Sequence, residues 1–193
     1  MANPNAPFGA RIIGHLYNSS YVARPRAYAV DTGDSTTIGI GDLVVSTGTG
    51  VVIPTTGETL PTVALATNTG NILGIVIGFN VDPAYLNQIY RSPSTLRTVY
   101  VVDDPDVIYE IQASGTAFLV TMLGGNAPLA IGAPSTITGV STTTVNLSGF
   151  NGATTDQVRI LSMVQEPNNI VGTYTRLVCY TNQHEHKSTT GVA

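Results

Sequence analysis

Short runs of alternating apolar and polar residues, separated by turn-forming residues, constrain the fold of this chain more than any other feature. The clearest run spans 107–113, where successive side chains point to opposite faces if the backbone is extended. One face would carry Val107, Tyr109 and Ile111, and the other Ile108, Glu110 and Gln112. Residues 26–30 alternate in the same way. A helix would repeat its apolar residues every three to four positions, so these runs predict β-strands.

Further segments rich in β-branched and aromatic residues are spread along the chain, with Gly, Asn, Asp and Pro clustered between them. These segments are 43–45, 72–79, 95–102, 116–122, 138–147, 158–164 and 174–180. About ten short strands at this close spacing predict a single all-β domain, built as a β-barrel or as a jelly-roll-like sandwich.

One segment carries helical signals. Asp82 is a favoured N-cap residue, Pro83 is favoured in the first turn of a helix, and Ser92-Pro93 would end the helix. We therefore expect at most one short helix near 83–90, or a loop that crosses between strands at this point.

The two ends of the chain lack the alternating pattern of its middle. Residues 1–9 are rich in Pro, Asn and Ala, with Phe8 as an apolar anchor, and residues 183–193 show no core pattern. The sequence therefore predicts an extended N-terminal arm over 1–9, a β domain over 10–182 and a C-terminal tail over 183–193. Disordered ends are the alternative for both segments.

Charged residues are scarce. Asp, Glu, Lys and Arg make up 10% of the chain, against about 25% in a typical soluble domain, and Lys187 is the only lysine. Small uncharged residues take their place, and such a surface resists neither close approach nor permanent burial against a neighbour. This composition is typical of an assembly subunit, and a β domain kept soluble by hydroxyl groups is the alternative.

Charge, hydropathy and cysteine content argue against several classes of protein. The net charge is −4 without any basic cluster, which argues against a nucleic-acid partner. The longest apolar run, around 72–81, is about half the length needed to cross a membrane, so we expect no membrane partner. Cys179 is the only cysteine, which leaves no intrachain disulfide and no cysteine-based zinc site.

Two short clusters resemble metal sites. Asp103-Asp104-Pro105-Asp106, with Glu110 beyond it, offers the carboxylates that calcium prefers, although a turn whose Asp side chains bond local amides explains it better. His184-Glu185-His186 would place two imidazoles on one face of a strand, but no third ligand is identifiable and a solvated polar end is favoured. We expect no resident metal or other cofactor.

Signals for catalysis are weak. The chain has three histidines, and its serines lie in no Gly-x-Ser-x-Gly motif. Lys187 follows no glycine-rich loop, so a P-loop is excluded. We therefore expect a protein that is not an enzyme.

Tyrosine and arginine, the residue types most often found at interaction hot spots, cluster near the arm and near the predicted helix. Ordinary strand tyrosines with arginines lying along the surface are the alternative. The candidate interface residues are Asn3, Pro4, Pro7, Phe8, Arg11, Tyr17, Tyr21, Arg24, Arg26, Tyr85, Tyr90, Arg91 and Arg97.

Two stretches resemble a known class of protein. Asn3-Pro4-Asn5-Ala6-Pro7-Phe8-Gly9-Ala10-Arg11 is similar to the start of small virion structural proteins of tailed bacteriophages, and residues 100–112 are similar to a strand–turn–strand in the same group. These proteins are head decoration, or capsid cement, proteins. The resemblance is strong over about a sixth of the chain and carries no catalytic residue.

The resemblance implies a β-rich protein that is made in the host cytoplasm and sits on the outer capsid surface of the virion. Its partners would be the major capsid protein and other copies of itself, as dimers or trimers. The arm would lie on a neighbour, so deleting residues 1–9 is expected to weaken attachment. A tail or neck structural protein and a β-barrel module that binds carbohydrate or another small ligand are the alternatives.

Overall fold

The computed structural model describes residues 3–18, 20–83 and 86–188, and these residues form an all-β fold of two sheets, which confirms the predicted fold class. Helical residues within these ranges are confined to three-residue 3-10 turns, and none of these is long and apolar enough to cross a membrane. The strands are β1 (Arg11–His15), β2 (Arg26–Val30), β3 (Leu43–Val52), β4 (Thr59–Leu65), β5 (Gly74–Phe79), β6 (Arg97–Val102), β7 (Val107–Ser114), β8 (Asn126–Ala127), β9 (Leu129–Ala130), β10 (Thr144–Asn146), β11 (Val158–Met163) and β12 (Arg176–Thr181). The 3-10 turns are Val120–Met122, Leu147–Gly149 and Glu185–Lys187.

Five strands form a barrel in the order β2-β4-β3-β5-β6. Neighbouring strands are antiparallel except at the seam between β2 and β4, which run parallel and meet at Ala29 and Thr62. Because side chains alternate along each strand, every strand contributes one apolar face to the interior. The buried core of the barrel consists of Tyr28, Val30, Ile38, Val44, Val63, Leu73, Val76, Val99 and Val101.

The second sheet is open and has the order β8-β11-β12-β7-β10-β9. β7 lies at its centre: it pairs with β12, with β1 over Val107–Glu110, and with β10 at Ala113 and Ser114. The apolar side chains of this sheet form one core with residues of the barrel strands, among them Leu43 and Ile75. The barrel and the open sheet are therefore held together by a shared apolar layer.

β7 confirms the predicted alternation on one face and departs from it on the other. Val107, Tyr109 and Ile111 are buried in the shared core. On the opposite face, Glu110 and Gln112 are also buried, each about 2% exposed. The arm covers Gln112, and arginines cover Glu110, so the polar face of this strand does not meet solvent.

Two strand predictions need correction. Residues 116–122 form no strand, because Gly115 takes a left-handed φ of 82° that turns the chain out of β7, and Val120–Met122 is a 3-10 turn. The predicted segment 138–147 shortens to β10. Conversely, β4 is missing from the predicted strands. It contains Pro61, which has no backbone N–H and therefore argues against a strand. Pro61 lies opposite Gly50, beside a bulge in β3, where the break in the ladder tolerates it.

Of the two predictions for 83–90, a short helix or a crossing loop, the described residues follow the loop. The described residues of 83–90 form turns and irregular backbone, and residues 84–85 lie outside the described part of the chain. Arg97 donates hydrogen bonds to the backbone carbonyls of Gln88 (2.8 Å) and Tyr90. These carbonyls are directed at a guanidinium group, which holds the segment open instead of closing it into a helix.

A buried carboxylate joins the barrel to the loop that precedes β10. Asp42 is fully buried and accepts hydrogen bonds from the backbone N–H of Gly39 (2.7 Å), the Thr143 hydroxyl (3.3 Å) and the Ser141 hydroxyl. Burial outweighs these hydrogen bonds and raises the pKa of Asp42 to about 6. The joint therefore contains a group that titrates near neutral pH.

Candidate interaction site

A cleft of about 650 Å³ lies where three segments distant in sequence meet. They are the loop 16–25 after β1, the turn 103–106 between β6 and β7, and His186 in the last 3-10 turn. The sheet explains their proximity. His15, at the end of β1, pairs with Val107, at the start of β7, so the loop that leaves β1 lies beside the turn that enters β7.

An aspartate side chain of the turn 103–106 bonds a local amide and stabilises the turn, as the sequence predicts. Asp104 Oδ1 accepts the backbone N–H of Asp106 at 3.0 Å. Asp103 is buried and accepts the Tyr28 hydroxyl (2.8 Å) and Arg26 Nη1 (3.1 Å) on the same oxygen. Burial and the bond to Asp103 raise the pKa of the Tyr28 hydroxyl. The turn is thereby attached to the barrel strand β2.

The other two aspartates of the turn also face donors of their own chain. His15 Nε2 lies 3.4 Å from Asp104 Oδ2, and the His15 ring packs on Tyr21 with ring centroids 4.9 Å apart. Partial burial, reinforced by Asp104, raises the pKa of Tyr21 to about 12. Lys187 Nζ lies 2.5 Å from Asp106 Oδ1. Two of the three aspartates of the turn, Asp103 and Asp106, are therefore paired with cationic side chains of the same chain.

His15, Asp104 and Asp106 place one potential ligand atom each within 4.8 Å of the others. The hydrogen bonds fit an internal ion-pair cluster better than a cation site. His15 Nδ1 accepts the backbone N–H of Tyr17 at 3.1 Å, so the neutral ring carries its proton on Nε2, the atom that faces Asp104. The ammonium group of Lys187 already lies against Asp106. The atoms that could bind a cation at this turn therefore already face groups of the same chain.

His184 and His186 lie in a turn, not on one face of a strand. His184 is buried next to Ile72, and its Nδ1 accepts the backbone N–H of His186 at 3.1 Å. Burial, followed by the nearby charges of His186 and Lys187, lowers the pKa of His184 to about 4. Residues 183–188 thus pack against the barrel, while the rest of the predicted tail, 189–193, lies outside the described residues.

Four of the predicted interface residues lie at the cleft. Tyr21, Arg24 and Arg26 line it, and Tyr17 beside it is 81% exposed. Val22 also lines the cleft and is 75% exposed, although its residue type gave no signal in the sequence. The cleft therefore has exposed aromatic and aliphatic side chains next to a floor on which most acidic groups are already paired.

Two of the candidate interface residues near the crossing loop, Arg91 and Arg97, are buried inside the domain. The Arg91 side chain is fully buried and donates to the carbonyls of Asp31 (2.6 Å), Asp34 (2.8 Å), Thr36 (2.5 Å) and Thr95 (2.9 Å). Arg97 is nearly buried and stacks on the Phe79 ring at 5.3 Å. Neither guanidinium group is presented to a partner, Tyr90 is half-buried, and Tyr85 lies outside the described residues.

The arm lies in a groove on the open sheet of its own chain. Asn3 Nδ2 donates to the carbonyls of Ile170 (2.8 Å) and Thr173 (2.9 Å), and its Oδ1 accepts the N–H of Ile170 (2.9 Å). Gln112 Nε2 donates to the Pro4 carbonyl at 2.9 Å, and its Oε1 accepts the Ala6 N–H at 3.1 Å. Two buried amides thus hold the arm.

The remaining arm residues are less buried. Pro4 is exposed, Pro7 and Phe8 are half-buried, and the Arg11 guanidinium lies 5.3 Å from the centre of the Phe8 ring. Arg11 also pairs with Glu110 of β7. Phe8 is therefore held by a cation–π contact at the edge of the sheet, and it has no deep pocket of its own.

Sequence reasoning missed Gln112 and Thr175, the buried polar side chains that form the groove floor. Thr175 Oγ1 donates to the carbonyls of Ile170 (2.8 Å) and Gly172 (2.9 Å), which fixes the loop that receives Asn3. The available signal was the polar face of β7 itself. A strand at the centre of a sheet that carries both Glu110 and Gln112 on one face needs partners for them.

Comparisons of this chain with protein-family models, with curated proteins and with solved structures found no match.

Proposed function

We propose that the protein is a structural protein of a phage virion that binds the outer surface of the capsid lattice and stabilises the mature head. The observation that carries the proposal is the N-terminal segment 3–26, which the structure describes except at residue 19. It runs from the arm through β1 to the cleft and presents Ile13, Tyr17 and Val22 as exposed large side chains. The same segment contains the stretch that resembles decoration proteins.

The distribution of charge supports an assembly role. Glu110 is shared by two arginines, Asp103 is held by Arg26 and Tyr28, and Asp106 is held by Lys187. Two of the three arginines of the segment 3–26, Arg11 and Arg26, are thus already paired with buried carboxylates, and a paired charge costs less to bury than an unpaired one. Burying such a surface costs less free energy than burying one whose arginines are unpaired.

Binding that occurs only on the mature lattice stabilises that lattice by mass action. At a hundredfold excess of free protein over Kd, the gain is about 2.7 kcal/mol per site. A site that spans several capsid subunits adds weak contacts through effective concentration. The protein would then act as a clamp, without any covalent chemistry.

The proposal is tested by binding the full chain to purified mature heads of the phage that encodes it. The double variant Tyr17→Ser, Val22→Ser is expected to bind about tenfold more weakly, because two exposed apolar contacts are lost. The matched control is Val52→Ser, Val81→Ser, which removes two exposed valines from the barrel half. Equal binding of both variants and the wild-type chain would refute the role of this segment.

One observation favours a second candidate function. The cleft volume of about 650 Å³ lies in the usual range for small-molecule sites, so a ligand-binding module is the alternative. Titration of isotopically labelled protein with a panel of sugars, followed by NMR, would give shifts confined to the cleft in that case.

A tail or neck protein differs from a head protein in its copy number per particle. Counting copies in an electron-microscopy map of the particle would distinguish the two.

A further inference from the structure

The arm is held in its groove in the manner of a bound peptide. Residues 3–8 belong to none of the strands, and two of them are prolines, which cannot donate to a β-ladder. Instead, Gln112 contacts the backbone of the arm at alternate residues, Pro4 and Ala6. An amide that binds alternate backbone groups recognises an extended segment, as peptide-binding domains do.

Asn3 fixes the register of the arm in the groove. Its side chain makes three hydrogen bonds to the loop 170–175 within 3 Å, to Ile170 O, Thr173 O and Ile170 N, and a longer one of 3.3 Å to Thr175 Oγ1. Thr175 is fully buried, and Asn3 itself is 7% exposed. The groove therefore selects a short side chain that carries both a donor and an acceptor at this position.

An exposed apolar rim lies next to this anchor. Two neighbouring loops expose five large apolar side chains, which together are called the apolar rim: Leu119, Val120, Leu123, Ile170 and Val171. The loops are joined because the Phe118 N–H donates to the Gly172 carbonyl at 2.8 Å. Ile170 also bonds Asn3 directly. The groove thus opens beside a surface that gains free energy when it is covered.

The arm joins the domain through a glycine. Gly9 has a φ of 70°, and a Cβ at this position would lie 2.5 Å from Gly41 O and from Ser141 Cβ. Only glycine fits there, and glycine is also the residue that most easily adopts a second backbone conformation. An extended segment held by a few hydrogen bonds and linked in this way is expected to open before the sheets do.

We propose that the groove is a peptide-recognition site which receives residues 3–8 of a second copy, so that copies associate by exchanging arms. Every group that recognises the arm in its own chain is present unchanged for the identical arm of a neighbour, which makes exchange a low-cost route to an oligomer. The second copy would at the same time cover the apolar rim. This inference does not rest on the proposed function, because the partner is the same chain.

The first experiment mixes isotopically labelled and unlabelled full-length protein and follows dimers that contain one copy of each by native mass spectrometry. We expect mixed dimers of the wild-type chain. Deleting residues 3–8 is expected to abolish dimerisation, because no arm remains to be exchanged; a substitution at Asn3 alone would weaken the arm equally in its own groove and in a neighbour's. Asn5→Asp is the control that retains the arm, since Asn5 lies in the same arm and is exposed.

The second experiment distinguishes exchange from an arm that stays on its own chain. A chain that lacks residues 3–8 leaves an intact, empty groove, and Gln112→Glu leaves an intact arm, so a mixture of the two contains one matched arm and groove. Exchange predicts that mixed dimers exceed the dimers of either variant alone. Gln165→Glu, an exposed position, controls for the added charge. If Gln112→Glu does not fold, mixing the chain that lacks residues 3–8 with the wild-type chain also provides a matched arm and groove.

Two results would overturn the inference. One is a wild-type chain that remains monomeric at concentrations well above micromolar. The other is dimerisation that is equally strong with and without residues 3–8, which would show that the arm does not contribute to the contact.

Discussion

Two buried arginines of the barrel act differently from two arginines of the open sheet and from Arg26 of β2, which pair with buried carboxylates. In the barrel, Arg91 and Arg97 are buried and donate mainly to backbone carbonyls of loops. On the open sheet, Arg11 and Arg176 lie closer to solvent and both pair with the buried carboxylate of Glu110. The same residue type thus fixes loops at two positions and shields a buried charge at the other three.

This difference assigns different tasks to the two halves. The barrel loops lack regular hydrogen bonds, and the two guanidinium groups supply the donors that their carbonyls need. The open sheet carries its charges on the face that the arm crosses, where they set the path of residues 3–11. Substitutions in the barrel should therefore act on stability, whereas those on the arm face should act on association as well.

The largest effect is expected for Arg91→Met. Removing the guanidinium group leaves the carbonyls of four residues and the carboxylate of Asp34 without the fully buried group that they share, so the free energy of unfolding should fall by about 3–5 kcal/mol. Urea denaturation measures this loss. Arg24→Met, an exposed arginine at the cleft, should change the same quantity by less than about 0.5 kcal/mol. Similar losses in the two variants would remove the distinction between the halves.

The alternation of apolar and polar residues predicted those strands whose burial follows from neighbouring residues in the sequence. The alternation of 107–113 gave the buried face of β7 correctly, and 26–30 matched β2. The pattern did not predict the polar contacts between residues far apart in sequence, because no spacing in the sequence reveals that Gln112 will meet Pro4 or that Arg91 will be fully enclosed. The same limit applies to the candidate site: the sequence names Tyr21, Arg24 and Arg26 as candidate interface residues but not His15 and Val22, which line the same cleft.

The next largest effect is a dependence of stability on pH. It arises at Asp42, which joins the barrel to the loop before β10, and at His184, in the C-terminal segment that packs against the barrel. Asp42 has a folded pKa of about 6 against an ordinary value of 3.8, so its contribution to stability is complete below pH 3.8 and is lost as the pH rises through 6. His184 has a folded pKa of about 4 against an ordinary value of 6.5. Its contribution is complete above pH 6.5 and is lost as the pH falls through 4.

The two contributions oppose each other over nearly the same pH range. Each amounts to about 3 kcal/mol, since a difference of one unit between folded and unfolded pKa corresponds to about 1.4 kcal/mol. The wild-type chain should therefore show a nearly flat stability between pH 4 and 6.5. Asp42→Asn should make the free energy of unfolding rise with pH over this range, and His184→Asn should make it fall. Denaturation curves across the range measure both slopes, and parallel slopes in the two variants would contradict this assignment.

The smallest effect tests whether burial decides the strength of the ion pairs on the arm face. Arg176 contacts both Glu110, whose side chain is 3% exposed, and Glu166, whose side chain is 46% exposed. Glu110→Gln removes the charge that two arginines share and turns an amide N–H toward one of them, so the free energy of unfolding should fall by about 2 kcal/mol. Glu166→Gln should cost less than about 1 kcal/mol, because water already screens that pair. Raising the salt concentration should lower the cost of Glu166→Gln and leave that of Glu110→Gln nearly unchanged. Equal costs would mean that the arm face, like the barrel, is stabilised by hydrogen-bond geometry and not by the burial of charge.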